Sequence, residues 1–221
     1  MSSASRSKPK LLLTGFSVFP GAPVNPTEAL VHQLRRQPDD IGEKCTFRAE
    51  VLDVDYSTIA NRLAAVADEF APDIALHFGL AAEATGFRLE KFARNVVATD
   101  RPDNAGNYSR GTVAESGPVH FESTLPRTEI VEALKTNSLP AMLDDQAGDY
   151  LCNAVFYLSR SGQCGAFSPS MSGFIHIPQL PAADGGIRKD GARLPLADLV
   201  RGARIVINVC ITHWKRKQVA G

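Results

Sequence analysis

The stretch Leu11-Leu-Leu-Thr-Gly15 decides the fold, because an apolar run that stops at a glycine predicts a short buried strand near the N-terminus. After a turn-rich loop, Asn25 is a suitable helix N-cap and Pro26 suits the first helical position. The segment from Phe47 to Val54 then alternates and is rich in residues that favour strands. Strand, helix and strand in this order predict an α/β fold.

The rest of the chain continues this alternation. Further strands are predicted over 73–79, 87–92, 139–143 and 174–177, and helices over 56–70, 129–135, 150–161 and 196–215. We therefore expect helices on both faces of one sheet, with sites at the strand ends marked by Gly15 and Gly79. The polar loop from Asn95 to Pro118 is long enough to suggest a function.

Composition excludes several classes of protein. The 221 residues include 24 Lys plus Arg and 24 Asp plus Glu, so no net charge favours nucleic acid or an anionic membrane. No segment approaches the roughly 18 apolar residues of a membrane span. Residues 1–10 are Ser-rich and basic and predict a disordered tail before a single domain over 11–221.

The four cysteines are widely scattered and show neither a CxxC pair nor the spacing of a zinc site. We expect free thiols, a reducing cytoplasmic location and no metal. Cys152 is distinctive because a helix is predicted to begin near it. A helix N-terminus stabilises an anion by only about 0.3–1 kcal/mol, which is less than one pKa unit. Cys152 is thus either a nucleophile that needs a basic partner or a small buried apolar residue.

His176 is the best candidate for that partner, although a histidine within a predicted buried strand is more often structural. His77 lies in the middle of another predicted strand and stays open as an alternative. A third group should orient the imidazole, as in other catalytic triads. Glu90, in the extended segment 87–92, is a candidate, but a solvated carboxylate beside Lys91 is an equal interpretation.

From about Leu11 to Pro181 the sequence resembles pyroglutamyl peptidase I, the pyrrolidone-carboxylate peptidase family of cysteine peptidases. The specific blocks are Thr-Gly-Phe-x-x-Phe at 14–19 with Asn-Pro at 25–26, Ala-Gly-x-Tyr-Leu-Cys-Asn at 147–153, and Phe-Ile-His-Ile-Pro at 174–178. A looser block begins at Leu89-Glu90. Three such blocks in the same order are hard to obtain by chance.

The resemblance implies a fold, a site and an activity. The fold is a single-domain three-layer α/β/α sandwich around a mixed, mostly parallel sheet. The implied catalytic residues are Cys152 as nucleophile, His176 as base and then acid, and Glu90 as the orienting carboxylate. Phe16 and Phe19 would hold the pyroglutamyl ring, with Asn25 nearby. The family removes pyroglutamate from peptide N-termini, needs no metal or organic cofactor, and in bacteria is cytosolic and commonly tetrameric.

One departure concerns the long loop. Many bacterial members carry an arginine ten residues after the glutamate, where it is thought to assist the oxyanion. Here that position is Asp100, and Arg101 is its neighbour. If Arg101 does not substitute, the loss resembles removal of one oxyanion donor, roughly 10²–10³ in rate. Two alternatives remain open: an amidase for another small acyl group, and a catalytically weak homologue that binds pyroglutamyl peptides.

Overall fold

The computed structural model describes residues 8–19, 22–181 and 193–220. Within these ranges, seven strands form one sheet and six helices cover it. The strands are β1 (Lys10–Phe16), β2 (Thr46–Leu52), β3 (Ile74–Leu80), β4 (Phe87–Arg94), β5 (His120–Glu122), β6 (Ala141–Gln146) and β7 (Met171–Ile177). The helices are α1 (Pro26–Arg36), α2 (Asp39–Gly42), α3 (Ile59–Phe70), α4 (Arg127–Thr136), α5 (Leu151–Ser161) and α6 (Leu196–Ala220).

The sheet is mixed and mostly parallel. Its order is β2-β1-β3-β7-β4-β5, and β6 pairs with β4 outside this path. Strands β2, β1, β3 and β7 run parallel to one another, and β6 runs parallel to β4, whereas β4 is antiparallel to β7 and to β5. The chain reverses its winding direction between β1 and β3, and ligands of open α/β sheets bind at such a point.

Two apolar layers cover the two faces of the sheet. One contains buried residues of α1, α4 and α6, such as Leu30, Ile130 and Val206. The other contains buried residues of α3 and α5, such as Leu63 and Val155. The three-layer α/β/α prediction is therefore confirmed. Within the described ranges, no helix combines the length and the apolar character that crossing a membrane would need.

Most predicted elements are present, with ends that differ by a few residues. The helix cap is as predicted: the Asn25 side chain accepts from the Thr27 backbone N–H, and Pro26 opens α1. Strand β5 was not predicted, since its three residues give no readable pattern and depend on pairing with β4. The predicted tail over 1–10 falls mostly on residues 1–7, outside the described ranges, and Lys10 already begins β1.

The predicted strand ends at Gly15 and Gly79 were wrong by one residue, because β1 continues to Phe16 and β3 to Leu80. At both glycines the missing side chain instead allows neighbouring atoms to approach the backbone closely. A Cβ on Gly15 would lie 2.6 Å from the Thr27 carbonyl oxygen. A Cβ on Gly79 would lie 2.6 Å from the Phe174 ring and 2.8 Å from the Cys152 sulfur, so the missing side chain leaves room for the start of α5.

A buried polar chain ties α5 to the sheet. Thr14 Oγ1 lies 2.8 Å from His77 Nδ1, and His77 Nε2 lies 2.9 Å from Ser159 Oγ on α5. The Ser159 hydroxyl in turn bonds to the Ser172 hydroxyl on β7 at 2.5 Å. All four side chains are buried. Because a buried polar group without a partner is costly, this chain fixes how α5 sits along β3 and β7.

We predict that His77 makes the protein less stable in acid. Burial lowers the pKa of His77 to about 3, whereas an unfolded histidine titrates near 6.5. The unfolded state therefore binds the extra proton first, so this contribution to stability is complete above pH ~6.5 and is lost as the pH falls towards ~3. Urea unfolding should show His77→Gln costing roughly 1–3 kcal/mol at pH 7.5 and less at pH 5.

The matched control is His32→Gln, because the His32 side chain on α1 is half exposed. It should leave the free energy of unfolding nearly unchanged at both pH values. Parallel stability curves for wild type and His77→Gln would contradict the assignment of a neutral buried imidazole.

Candidate active site

One cavity of about 880 Å³ opens at the C-terminal ends of β1, β3 and β7 and at the start of α5. Phe16 and His176 come from the ends of β1 and β7, and Cys152 comes from α5. This is the edge of the sheet where α/β proteins bind ligands, as the strand pattern predicted. The cavity also collects residues from the loop that precedes α5.

Cys152 is the second residue of α5, so its backbone N–H lies in the first turn, where helical N–H groups have no carbonyl partner in the helix. Tyr150, the residue before the helix, is the N-cap. Its hydroxyl donates to the Pro102 carbonyl at 2.8 Å instead of capping the helix. Cys152 is partly exposed to the cavity. The thiol therefore sits at a helix end that points into solvent-accessible space.

His176 and Glu90 form a buried pair beside the thiol. His176 Nδ1 lies 2.7 Å from Glu90 Oε1, and the side chains are 9% and 0% exposed. Cys152 lies near enough to the same imidazole to raise the pKa of His176. Since Glu90 occupies Nδ1, the ring nitrogen left for the sulfur is Nε2. The structure thus brings together the three residues that the sequence selected, and the interpretation of Glu90 as a solvated carboxylate was wrong.

The charges of this cluster favour the imidazolium. Burial by itself lowers the pKa of His176, but the hydrogen bonds and negative charges of Cys152 and Glu90 outweigh burial and raise that pKa to about 10. Burial raises the pKa of Glu90, and its hydrogen bond to His176 opposes this rise. Glu90 Oε2 is buried with no hydrogen-bond partner among the described residues. Glu90 is therefore held chiefly by the imidazole.

His77, the alternative base, is excluded by its surroundings. Both of its ring nitrogens are occupied by hydroxyl groups, and its lowered pKa keeps it neutral. The three other cysteines are buried, unlike Cys152. Burial raises the pKa of Cys45 and of Cys164 to about 11 and raises that of Cys210 further. Buried neutral thiols of this kind are unreactive.

Phe16 and Phe19 both line the cavity, as expected. The Phe16 ring packs 6.4 Å from Phe174, and the Phe19 ring packs 6.1 Å from Tyr150. Asn25 also reaches the cavity, but its polar atoms are used locally. Its Nδ2 donates to the Ser17 carbonyl at 2.9 Å and its Oδ1 caps α1. Asn25 therefore holds the loop that presents the two phenylalanines.

Arg101 lines the cavity but is already engaged. Its guanidinium is ion-paired with Asp149 and lies 5.2 Å from the centre of the Tyr150 ring. This places Arg101 over the segment that leads into α5. The negative charge of Asp149 therefore offsets the positive charge that an oxyanion would need.

Comparison with known proteins agrees with this geometry. A family model for pyroglutamyl peptidase matches residues 9–213. The chain belongs to the pyroglutamyl peptidase family. A pyrrolidone-carboxylate peptidase of Pyrococcus furiosus is 36% identical over 173 residues, which cover 78% of this chain and 82% of that protein. Another, from Brevibacillus brevis, is 32% identical over 206 residues, which cover 92% and 93%.

Solved structures of this family have the same fold. A mutant pyrrolidone carboxyl peptidase from P. furiosus superposes with a TM-score of 0.82 at 32% identity, covering 92% of this chain and 98% of that one. Pyroglutamyl peptidase I of Bacillus amyloliquefaciens gives a TM-score of 0.81 at 28% identity, covering 93% and 98%. The resemblance inferred from the three sequence blocks is confirmed.

Several residues that shape this pyroglutamyl peptidase site were missed by sequence reasoning. Asn153 accepts from the Arg94 N–H and donates to the carbonyls of Arg94 and Val96, which fastens the long loop to α5. Thr27 Oγ1 accepts from the Phe16 N–H at 2.9 Å. Asn153 lies in the same sequence block as Cys152, and this position in the motif is the signal that could have identified it.

Metal chemistry finds no support in the side chains. Over residues 8–19, 22–181 and 193–220, no group of three His, Cys, Asp or Glu residues is arranged to hold a metal ion. A thiol and an imidazole face the cavity, and a buried carboxylate lies behind the imidazole. Such a set suits nucleophilic catalysis by the protein itself.

We predict that Cys152 is the most reactive thiol. Iodoacetamide at pH 7.5, with peptide mass spectrometry, should label Cys152 at least about tenfold faster than the three buried cysteines, because the thiolate is the reactive form. His176→Ala should slow this labelling, since it removes the imidazolium beside the sulfur. His120→Ala, at an exposed histidine, is the control and should leave the rate unchanged. Equal labelling in wild type and His176→Ala would contradict the pairing.

Proposed function

We propose that this protein is a cysteine exopeptidase that hydrolyses the amide bond after an N-terminal pyroglutamyl residue. The observation that carries the proposal is that Cys152 and His176, backed by the buried Glu90, face one cavity with two phenylalanines. The relatives named above are pyrrolidone-carboxylate peptidases, which supports the same substrate class. The roles below apply general peptidase chemistry to these residues.

Cys152 acts as the nucleophile. Its thiolate attacks the carbonyl carbon of the scissile amide, and the oxygen of that carbonyl becomes an oxyanion. The C–N bond then breaks, and the His176 imidazolium gives its proton to the departing amine. Water attacks the resulting acyl-thioester while His176 takes up a proton from it. Pyroglutamate leaves, and the thiolate–imidazolium pair is restored.

Glu90 orients the imidazole and stabilises its positive charge, in the way that the carboxylate of a triad does. The oxyanion receives a hydrogen bond from the Cys152 backbone N–H at the start of α5. This N–H is available because it lies in the first helical turn. The helix dipole adds a smaller favourable contribution.

Phe16 and Phe19 recognise the acyl group. Pyroglutamate carries a flat, uncharged lactam, so aromatic surfaces cover it without the aid of a charged side chain. What separates the lactam from proline is its carbonyl and N–H. A site that hydrogen-bonds these groups rejects the analogue that lacks them by roughly 10⁴–10⁵-fold. We expect backbone groups within 16–19 or 79–82, segments that both reach the cavity, to make such bonds.

We predict that the protein cleaves pyroglutamyl aminomethylcoumarin and discriminates strongly against the prolyl analogue. Cys152→Ser should reduce kcat by at least about 10³-fold, because the hydroxyl is a far weaker nucleophile at neutral pH. Release of the coumarin fluorophore measures both.

Two other outcomes would each support one of the alternative functions. Equal turnover of the two amides would contradict lactam specificity and favour a general small-acyl amidase. Binding of pyroglutamyl peptides without turnover would favour a catalytically weak homologue. A binding measurement on Cys152→Ser separates this second case from a simple failure to bind.

We propose that Arg101 shapes the acyl pocket and does not serve as the oxyanion donor. Its guanidinium faces Asp149 and the Tyr150 ring, which leaves it to build a wall of the cavity. Arg101→Ala should therefore raise KM and lower kcat by about tenfold or less, compared with 10²–10³ in kcat for loss of an oxyanion donor. Steady-state kinetics decides this, with Arg110→Ala as control because Arg110 is exposed. A fall of kcat by 10²-fold or more with unchanged KM would overturn it.

Cytoplasmic location and a homotetramer remain predictions. The location agrees with four free cysteines, none of them in a disulfide. The tetramer rests on the family resemblance alone.

A further inference from the structure

The cavity continues beyond the thiol towards β4 and β6. Its charged residues on this side are Glu83 from the loop after β3, Arg88 from β4 and Asp144 from β6. None of them was singled out in the sequence, and the proposed catalytic steps do not use them. We call these three residues the charged subsite.

Strand pairing fixes the place of the charged subsite. Arg88 is directly opposite His176 in the antiparallel pair of β4 and β7, so the two side chains leave the same face of the sheet close together. Asp144 is opposite Glu90 on the other side of β4. Because side chains alternate along a strand, Arg88 and Glu90 share this face. The charged subsite therefore adjoins the catalytic imidazole.

The charges of the subsite do not balance. Arg88 Nη1 lies 3.2 Å from Glu83 Oε1 and 3.4 Å from Asp144 Oδ2, so one guanidinium faces two carboxylates. The Glu83 side chain is 69% exposed and that of Asp144 is 29% exposed. The cavity also contains Arg94, at the far end of β4 where Asn153 fastens the strand to α5, and Arg101, which is paired with Asp149. The negative excess is therefore local.

The positions of the acyl group and of the departing amine indicate which part of the substrate lies over the charged subsite. Phe16 and Phe19 lie beyond Cys152 on the β1 side, where the acyl group is proposed to bind. His176 must give its proton to the departing amine, so the amine lies on the His176 side of the thiol. In the sheet order, β4 and β6 follow β7 on that side. The residue after the pyroglutamyl group thus leaves over the charged subsite.

We propose that Glu83, Arg88 and Asp144 bind the residue that follows the pyroglutamyl group and give the enzyme a preference for a basic side chain there over an acidic one. This inference rests on the proposed function, because it needs a peptide bound across Cys152 and His176. A lysine or arginine side chain meets the two carboxylates, whereas a glutamate side chain meets like charge. Arg88 holds the two carboxylates in place. It is the one cation of the charged subsite that an acidic side chain could meet.

The experiment compares kcat/KM for pyroglutamyl-lysine amide, pyroglutamyl-alanine amide and pyroglutamyl-glutamate amide at low salt. For wild type we expect lysine to exceed glutamate by about tenfold, with alanine between them. Because single exposed ion pairs are weak, Asp144→Asn and Glu83→Gln should each reduce the lysine-to-glutamate ratio about two- to fivefold. In 0.5 M NaCl the ratio should fall towards one, because salt screens exposed charges.

The ratio is the readout because it does not depend on how a variant changes overall activity. Asp198→Asn is the matched control, since Asp198 also forms an exposed aspartate–arginine pair, with Arg201 on α6 at 2.9 Å. This variant should keep the wild-type ratio. A wild-type ratio of one or below would overturn the proposal. A ratio that neither Asp144→Asn nor Glu83→Gln changes would also overturn it.

Failure of the proposed function gives a different result. If none of the three peptides is cleaved, the exopeptidase proposal is wrong. Calorimetric binding of the lysine and glutamate peptides to Cys152→Ser then tests the charged subsite by itself. Tighter binding of the lysine peptide that is lost in Cys152→Ser/Asp144→Asn supports the subsite, and equal binding of both peptides rejects it.

Discussion

The hydrogen bond between His176 Nδ1 and Glu90 Oε1 is the interaction on which the site depends, and it exists only because the sheet is mixed. Strand β7 ends the parallel series, and β4 runs against it with Arg88 opposite His176. Two residues further along β4, Glu90 faces the same side of the sheet. A shift of one residue in this register would turn the carboxylate to the opposite face.

Burial makes this bond effective. Glu90 has no exposed surface, so its charge is poorly solvated and acts strongly on its one described partner. The imidazole gains two favourable neighbours, Glu90 and Cys152, and these outweigh the cost of burying its positive charge. The helix end at Cys152 is a small addition by comparison. The reactivity of the thiol thus depends mainly on side chains from two strands, and only secondarily on its own helix.

The position of α5 is set by contacts at both of its ends. At the start, Gly79 leaves the space that the Cys152 sulfur and the Phe174 ring occupy. Near the end, Ser159 bonds to His77 and Ser172 within the buried polar chain. Asn153 fastens the segment around Arg94 to the same helix. These contacts explain why a neutral, fully buried histidine belongs in a strand that carries no catalytic group.

Apolar and charged residues line different parts of the cavity along the sheet. The aromatic side lies at β1, Cys152 and His176 lie at the start of α5 and the end of β7, and Arg88 and Asp144 lie at β4 and β6. In the proposed binding mode an uncharged lactam occupies the first of these parts, and the side chain of the following residue reaches the last. Since the whole chain carries no net charge, any electrostatic selectivity has to come from such local imbalance.

The sequence by itself determined the alternation of strands and helices and the cap at Asn25, and it selected Cys152 and His176 as candidates, because these depend on local pattern and on short motifs. It selected Glu90 only through the family resemblance and left the burial of this residue open, since a carboxylate beside a lysine looks the same whether it is solvated or buried. It missed β5 and the charged subsite altogether. Only the tertiary structure decided these, because strand pairing places Arg88 beside His176 although they are 88 positions apart in sequence.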